Sequence, residues 1–158
     1  MRLWQSDKEL FSLAEKELFT CVLGDVLDKQ NLVHQYLPPE IRPLSPEMIM
    51  IGRAMPVLAG DTFQVAIENS ANPLSAKPFG LMLEALDDLR PSEIYVSTGS
   101  SHRNALWGEL MSVRALKRGA RGAVLNGYIR DTENPIPGLP HFLFRVVWPG
   151  FRASLQGP

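Results

Sequence analysis

Residues able to do chemistry together lie within one stretch of this chain, Trp107 to Asp131. Gly108 and Glu109 stand where a helix is expected to begin. Arg130 and Asp131 follow a short apolar run, and twenty residues separate Glu109 from Arg130. A guanidinium is a planar fork that grips a carboxylate or keto acid through two hydrogen bonds. An aspartate is a hard oxygen ligand for magnesium or manganese. The first N–H groups of a helix lie before its own ladder, at the positive end of the dipole, so Gly108, Glu109, Leu110 and Met111 can cradle an anion. Gly108 would also let a ligand approach the backbone closely. The grouping suits a small anionic substrate held by residues 108–111 and Arg130, with Asp131 on a divalent metal. Glu109 would add a second carboxylate, directly or through a metal-bound water. Spacing leaves a plainer reading open. Acidic residues favour a helix's first turn for dipole reasons alone, and an adjacent Arg-Asp is commonly a surface pair of little energetic worth.

Such residues need elements that bring them to one edge. Ile94 to Thr98 is β-rich and of strand length, and residues 99–104 form a loop. A helix is predicted from near Gly108 to Arg118, with Gly119 placed to end it. Gly122 to Leu125 reads as a buried strand, and Asn126-Gly127 as a turn. Strand, loop, helix and strand make a βαβ unit, hence an α/β chain with a partly parallel sheet. Ligands of such folds bind at the carboxyl ends of the strands.

Upstream, Leu10, Leu13, Ala14 and Leu18 mark a helix over Asp7–Phe19. A second helix, capped by Thr20, runs to about Lys29 with Val22, Val26 and Leu27 turned inward. Pro38, Pro39 and Pro43 enforce an extended connection. Met48 to Leu58 reads as a strand with an irregularity at Gly52. Residues 69–78 form a loop, and Phe79, Met82, Leu83 and Leu86 mark a helix that ends before Pro91. Met48, Met50, Met55 and Met82 are read as core filling, and Trp107 as a core aromatic.

The 158 residues suffice for one domain, 1–158, with a real core; 45% are hydrophobic and 21% charged. A net charge of −1 argues against a general nucleic-acid binder. The basic cluster Arg114, Lys117, Arg118 and Arg121 reads as a solvated helix face. Cys21 is the only cysteine, which fits a reducing compartment. With no signal-peptide core and no run long enough to span a membrane, a cytoplasmic protein is expected. His102 and Arg103 lie on the loop facing the candidate edge, where His102 reads as exposed and polar; His34 and His141 have no ligand-like spacing.

The block resembles the family of class II 4-hydroxy-4-methyl-2-oxoglutarate aldolases and regulator-of-ribonuclease-activity-like (RraA-like) proteins. Family members carry an acidic residue, twenty residues, then Arg-Asp, matched here by Glu109, Arg130 and Asp131. Asp is commoner at the first position, and Asp-Gly commoner where Asn126-Gly127 stands. Asp25-Val-Leu-Asp28, Ile41-Arg-Pro-Leu44 and Met50 to Val57 resemble further family segments in the same order, so the likeness covers roughly 20–135. It implies an RraA-like layered α/β fold and a metal-dependent lyase. Residues 108–111 and Arg130 would hold the pyruvyl end, with Glu109 and Arg130 in the catalytic set and Asp131 on Mg2+ or Mn2+. The substrate would be a small 2-oxo acid. Cleavage of a 4-hydroxy-2-oxo acid and decarboxylation of oxaloacetate would share a metal-stabilised pyruvate enolate. The resemblance also implies a homotrimer or hexamer, in which a neighbouring subunit's C-terminal acidic residue completes the site. The family's other activity, a non-catalytic regulator binding a ribonuclease-type protein, is the alternative, and an inactive fragment the third.

After about Pro140 the resemblance is lost. Family members continue through Phe-Pro-x-Phe into further strands, whereas this chain runs Gly138-Leu-Pro-His-Phe-Leu-Phe-Arg-Val-Val-Trp-Pro-Gly-Phe151. Residues 141–158 are read as an atypical tail with the closing strands missing, from truncation or a frameshift. Phe142, Phe144, Val147, Trp148 and Phe151 are then expected to lack partners and form an apolar patch.

Overall fold

A computed structural model describes residues 3–44, 48–61, 80–101, 105–130 and 143–146. The 69–78 loop, Phe79, His102, Arg103, Asp131, His141, Phe142, Val147, Trp148 and Phe151 lie outside the described residues.

Helix α1 spans Asp7–Glu17 and starts at a conventional cap, the Ser6 hydroxyl accepting from the Glu9 N–H at 3.3 Å. Phe11 is its buried residue, while Leu10, Leu13 and Ala14 are half-buried. Leu18 lies just past the helix and is exposed. Helix α2 spans Thr20–Lys29, so Thr20 sits inside it and Phe19 is the cap, without a side-chain bond. The inward turn expected of Val22 and Val26 is not observed: both are exposed, Leu27 is half-buried, and only Gly24 is buried. The cause is what packs on the helix. The chain doubles back after Asn31, with the Leu32 N–H donating to the Leu27 carbonyl at 2.9 Å and Gln35 donating to Asp28. Tyr36 then covers Gly24, where a β-carbon would collide with its hydroxyl. This return segment is too short to cover the apolar stripe, so Leu23, Leu32, Val33 and Leu37 are also exposed.

Strands β1 (Ile41–Pro43) and β2 (Arg53–Leu58) follow. The expected strand over Met48–Leu58 is shorter at its start, because β-pairing begins where the Arg53 N–H meets the Ser92 carbonyl at 3.2 Å. Helix α3 (Gly80–Asp88) ends before Pro91 as predicted. It buries Leu86 and half-buries Met82, whereas Leu83 is exposed. Then come β3 (Glu93–Thr98), β4 (Ala105–Trp107), helix α4 (Glu109–Lys117), β5 (Gly122–Leu125), β6 (Tyr128–Ile129) and β7 (Leu143–Val146).

The main sheet has the order β1-β7-β5-β3-β2. Strands β2, β3, β5 and β7 are parallel, and β1 runs antiparallel to β7. The predicted βαβ unit is present, with β3 and β5 parallel neighbours and α4 between them in the chain. Strand β7 corrects the reading of the tail. Residues 143–146 are not left over: their backbone enters the main sheet between β1 and β5, with Phe144 in register with Pro43 and Val124. Backbone pairing thus gives Leu143–Val146, read as part of an unpartnered tail, a place in the sheet.

The core collects Leu86 and Leu89 from the α3 region, Tyr95 from β3, Trp107, Ala115, Ala120, and Ala123 and Leu125 from β5. All four residues of β5 are buried, as a central parallel strand requires. Met55 packs against this cluster, and Met48, Met50 and Met82 are half-buried. Gly119 ends α4 with φ +78°, the left-handed geometry a glycine adopts at low cost.

The basic cluster has structural work instead of forming only a solvated face. Arg114 pairs with Asp87 of α3 at 2.6 Å. Arg118 donates to the Leu89 carbonyl at 3.0 Å and Arg121 to the Ile51 carbonyl at 3.2 Å. Arg121 also pairs with Glu15 of α1. These contacts join α4 and its C-terminal turn to three other parts of the chain, which helical spacing cannot reveal.

Burial raises the Tyr95 hydroxyl above its ordinary value of 10.0. A group with a raised folded value contributes fully below its unfolded value, and that contribution is lost as pH climbs above it. Tyr95→Phe is expected to remove this part of the alkaline stability loss. Urea unfolding of both proteins on either side of pH 10.0 checks it; parallel losses in the two would contradict it.

Candidate functional site

Two short strands carry the candidate residues to the same place. Trp107 of β4 passes directly into Gly108 and α4, and Ile129 of β6 passes directly into Arg130. The strands pair in parallel, with Ala105 beside Tyr128 and Trp107 beside Ile129. The Arg130 N–H donates to the Trp107 carbonyl at 3.1 Å, one residue before Gly108. The start of α4 and Arg130 are thus brought together by backbone pairing, not by side-chain reach. Neither strand was anticipated: three and two residues carry too little periodicity to read.

The carboxyl ends of the main strands support this arrangement. Asn126 donates its N–H to the Ser97 carbonyl at 2.9 Å and its side-chain amide to Thr98 Oγ1 at 3.0 Å. That clamps β5 to β3 where the Asn126-Gly127 turn, as predicted, sends the chain toward β6. On the neighbouring strand end, both Asp61 oxygens accept from the Ser101 N–H at 3.1 and 3.2 Å. The sequence reading missed Asp61; an acid just past a strand's carboxyl end was the available signal.

Gly108 is the N-cap of α4, extended at φ −158°, and it has no side chain to place on the first turn. The helical ladder opens with the Ser112 N–H on the Gly108 carbonyl at 3.1 Å. The N–H groups of Leu110 and Met111 precede that ladder. The contrast with α1 is direct: there the Ser6 hydroxyl accepts from the Glu9 N–H, and here the cap residue makes no side-chain bond to the first turn. Gly108 is buried, the Leu110 side chain points outward at 83% exposure, and Met111 packs on the core.

Glu109 and Arg130 are both exposed at this edge. The structure brings Gly108, Glu109, Leu110, Met111 and Arg130 together, while Asp131, next in the chain, lies outside the described residues. Among the described residues no group of three or more His, Cys, Asp or Glu could hold a metal ion. Glu109 is a carboxylate, a hard oxygen donor of the kind a magnesium or manganese ion accepts.

Trp107 is core, as expected, at 1% exposure, its ring centroid 5.0 Å from that of Tyr95. A second role was missed. Its Nε1–H donates to the Ser112 hydroxyl at 2.7 Å, and that hydroxyl donates to the Gly108 carbonyl at 3.1 Å. The signal was a serine on the apolar face of α4, where only a bonded hydroxyl is tolerated.

Comparison with known proteins gives a consistent picture. A model of the RraA-like family, described as Aldolase/RraA, matches residues 20–139. No curated protein matches. Among solved structures, a chain described under novel cellulases from microbes associated with the gut ecosystem superposes with a TM-score of 0.71 at 25% identity, covering 92% of this chain and 61% of that one. An uncharacterized protein from Pseudomonas syringae pv. tomato str. DC3000 superposes with a TM-score of 0.53 at 20% identity, covering 80% of this chain and 51% of that one, and shares the fold. The chain thus spans less than two thirds of the length of either. Among the described residues no helix is long and apolar enough to cross a membrane.

Proposed function

We propose a function from one premise, that this chain belongs to the RraA-like (Aldolase/RraA) family: it is a divalent-metal-dependent lyase of small 2-oxo acids. The observation that carries this reading is the backbone bond from the Arg130 N–H to the Trp107 carbonyl, which sets residue 130 beside a helix start whose cap, Gly108, has no side chain. In the proposed complex the N–H groups of residues 109–111 and the Arg130 fork hold the carboxylate and 2-oxo group of the substrate. In retro-aldol cleavage of a 4-hydroxy-2-oxo acid, the C4 hydroxyl gives up its proton and the C3–C4 bond breaks. That electron pair passes into the 2-oxo group to form pyruvate enolate, which is then protonated at C3. In oxaloacetate decarboxylation the same bond breaks with loss of carbon dioxide, so one site serves both reactions. Arg130 opposes the negative charge as it gathers on the 2-oxo oxygen. Asp131, with Glu109, would hold the cation, which when bound supplies further positive charge to that oxygen. A homotrimer or hexamer and a cytoplasmic location belong to the same proposal.

The relative described under cellulases raises a different substrate. A glycosidase needs two carboxyl groups flanking a neutral sugar. An arginine beside the start of a helix suits an anion instead. The exposed apolar surface of α2 favours a second reading, a regulator that binds a ribonuclease-type protein.

Pyruvate release from oxaloacetate and from 4-hydroxy-4-methyl-2-oxoglutarate, with magnesium and after chelation, tests the enzyme reading. Turnover that needs the cation and is lost in Asp131→Ala is expected. Turnover indifferent to both would remove Asp131 from the site. Absence of turnover together with tight binding of a ribonuclease would favour the regulator, and absence of both an inactive fragment.

A further inference from the structure

We propose that Ser112 and Trp107 are positioning residues for the oxo-acid cradle. Their relay runs from the Trp107 indole through the Ser112 hydroxyl to the Gly108 carbonyl. It sets the direction of the Leu110 and Met111 N–H groups. The inference rests on reading that helix terminus as the seat of the substrate carboxylate.

A helix end is normally fixed from outside by its cap side chain, as Ser6 fixes α1. Such a cap would occupy the donors that a ligand needs. Helix α4 has a glycine there and nothing from the cap to orient its first turn. Ser112, one turn later and 2% exposed, supplies the restraint from inside. Its hydroxyl accepts from Trp107 Nε1 at 2.7 Å and donates to the Gly108 carbonyl at 3.1 Å, so both of its roles are used. Alanine would be the better helix former at this buried place. The hydroxyl is therefore explained by what it holds.

Trp107 also links the two halves of the site. Its indole anchors the start of α4, its carbonyl receives the Arg130 N–H, and its ring is packed against Tyr95. One residue embedded in the core thus references both the cradle and Arg130 to the main sheet.

The test uses the 15N-labelled full chain, pyruvate as the probe, and the variants Ser112→Ala, Trp107→Phe and Trp107→Phe/Ser112→Ala. Ser112→Ala removes both bonds and orphans the buried indole N–H, so both thermal stability and pyruvate affinity fall. The loss of affinity is expected to be about ten-fold, the equivalent of roughly 1.4 kcal/mol. The double variant has no orphaned donor, so the loss of stability from Ser112→Ala is smaller when measured against Trp107→Phe than against the wild type. Its pyruvate affinity stays low, because the Gly108 carbonyl still lacks its hydroxyl partner. A loss of affinity that shrinks in step with the loss of stability would mean a merely structural role and overturn the proposal. So would Leu110 and Met111 amide resonances that are unmoved by Ser112→Ala, a readout that needs no ligand. Amides that move in Ser112→Ala, in a protein whose wild type ignores pyruvate, would support the relay and overturn the oxo-acid reading instead. Trp107→Phe and the double variant carry the test where Ser112→Ala alone does not fold.

Discussion

Arg130→Ala is expected to lower kcat/KM for pyruvate release from oxaloacetate by roughly 10²–10³-fold, the cost of removing one preorganised donor to a developing oxyanion. Steady-state assays at saturating magnesium measure it. Thermal unfolding of the variant is recorded beside the assay, so that the loss of kcat/KM is read apart from any change in stability. The bond that places residue 130 beside Gly108 is made by its backbone N–H and survives the substitution. The expected loss is therefore chemical rather than architectural. Arg130→Lys should recover only a minor part, because an ammonium keeps the charge but not the planar fork. Unchanged kcat/KM in Arg130→Ala would take this arginine out of the reaction.

Trp107→Ala is expected to destabilise the protein by about 3–5 kcal/mol, the usual cost of truncating a buried aromatic. Three losses combine. The indole leaves a cavity beside Tyr95, the Ser112 hydroxyl loses a donor, and the pairing of β4 with β6 loses its packed anchor. Against a typical stability of about 5–15 kcal/mol this is a large fraction. Urea unfolding would read it as a lower midpoint. Trp107→Phe keeps a ring in the core and should cost less than half as much. A loss under about 1 kcal/mol in Trp107→Ala would mean that the site end of α4 is held by other contacts.

These two residues also divide what could be read from the chain. The β3–α4–β5 unit, the ends of α4 at Gly108 and Gly119, and the buried run Gly122–Leu125 were legible, because each element is set by neighbours a few residues away. The family likeness over roughly 20–135 agrees with the family match over 20–139. The dual use of Trp107 was not legible, since indole-to-hydroxyl geometry depends on how α4 leaves β4.

Amphipathic spacing identified α2 as a helix but misassigned its inner face. Spacing states that a stripe exists, and only packing states whether anything covers it. Arg114, Arg118 and Arg121 have the same charge and spacing whether they face water or reach Asp87, Leu89 and Ile51. Residues 143–146 read as a leftover because β-pairing partners are chosen across the fold. Their places beside Ile41–Pro43 and Ala123–Val124 bridge long stretches of chain.

By itself the sequence determined the α/β class, the order of the central elements, the family, and the candidate residues of the proposed site. Local sterics, periodicity and turn chemistry suffice for the class and the order of elements, and the ordered motifs for the family. The tertiary structure alone decided that Arg130 stands beside the start of α4. That meeting is made by two strands of three and two residues, whose pairing exists only once β3 and β5 lie side by side.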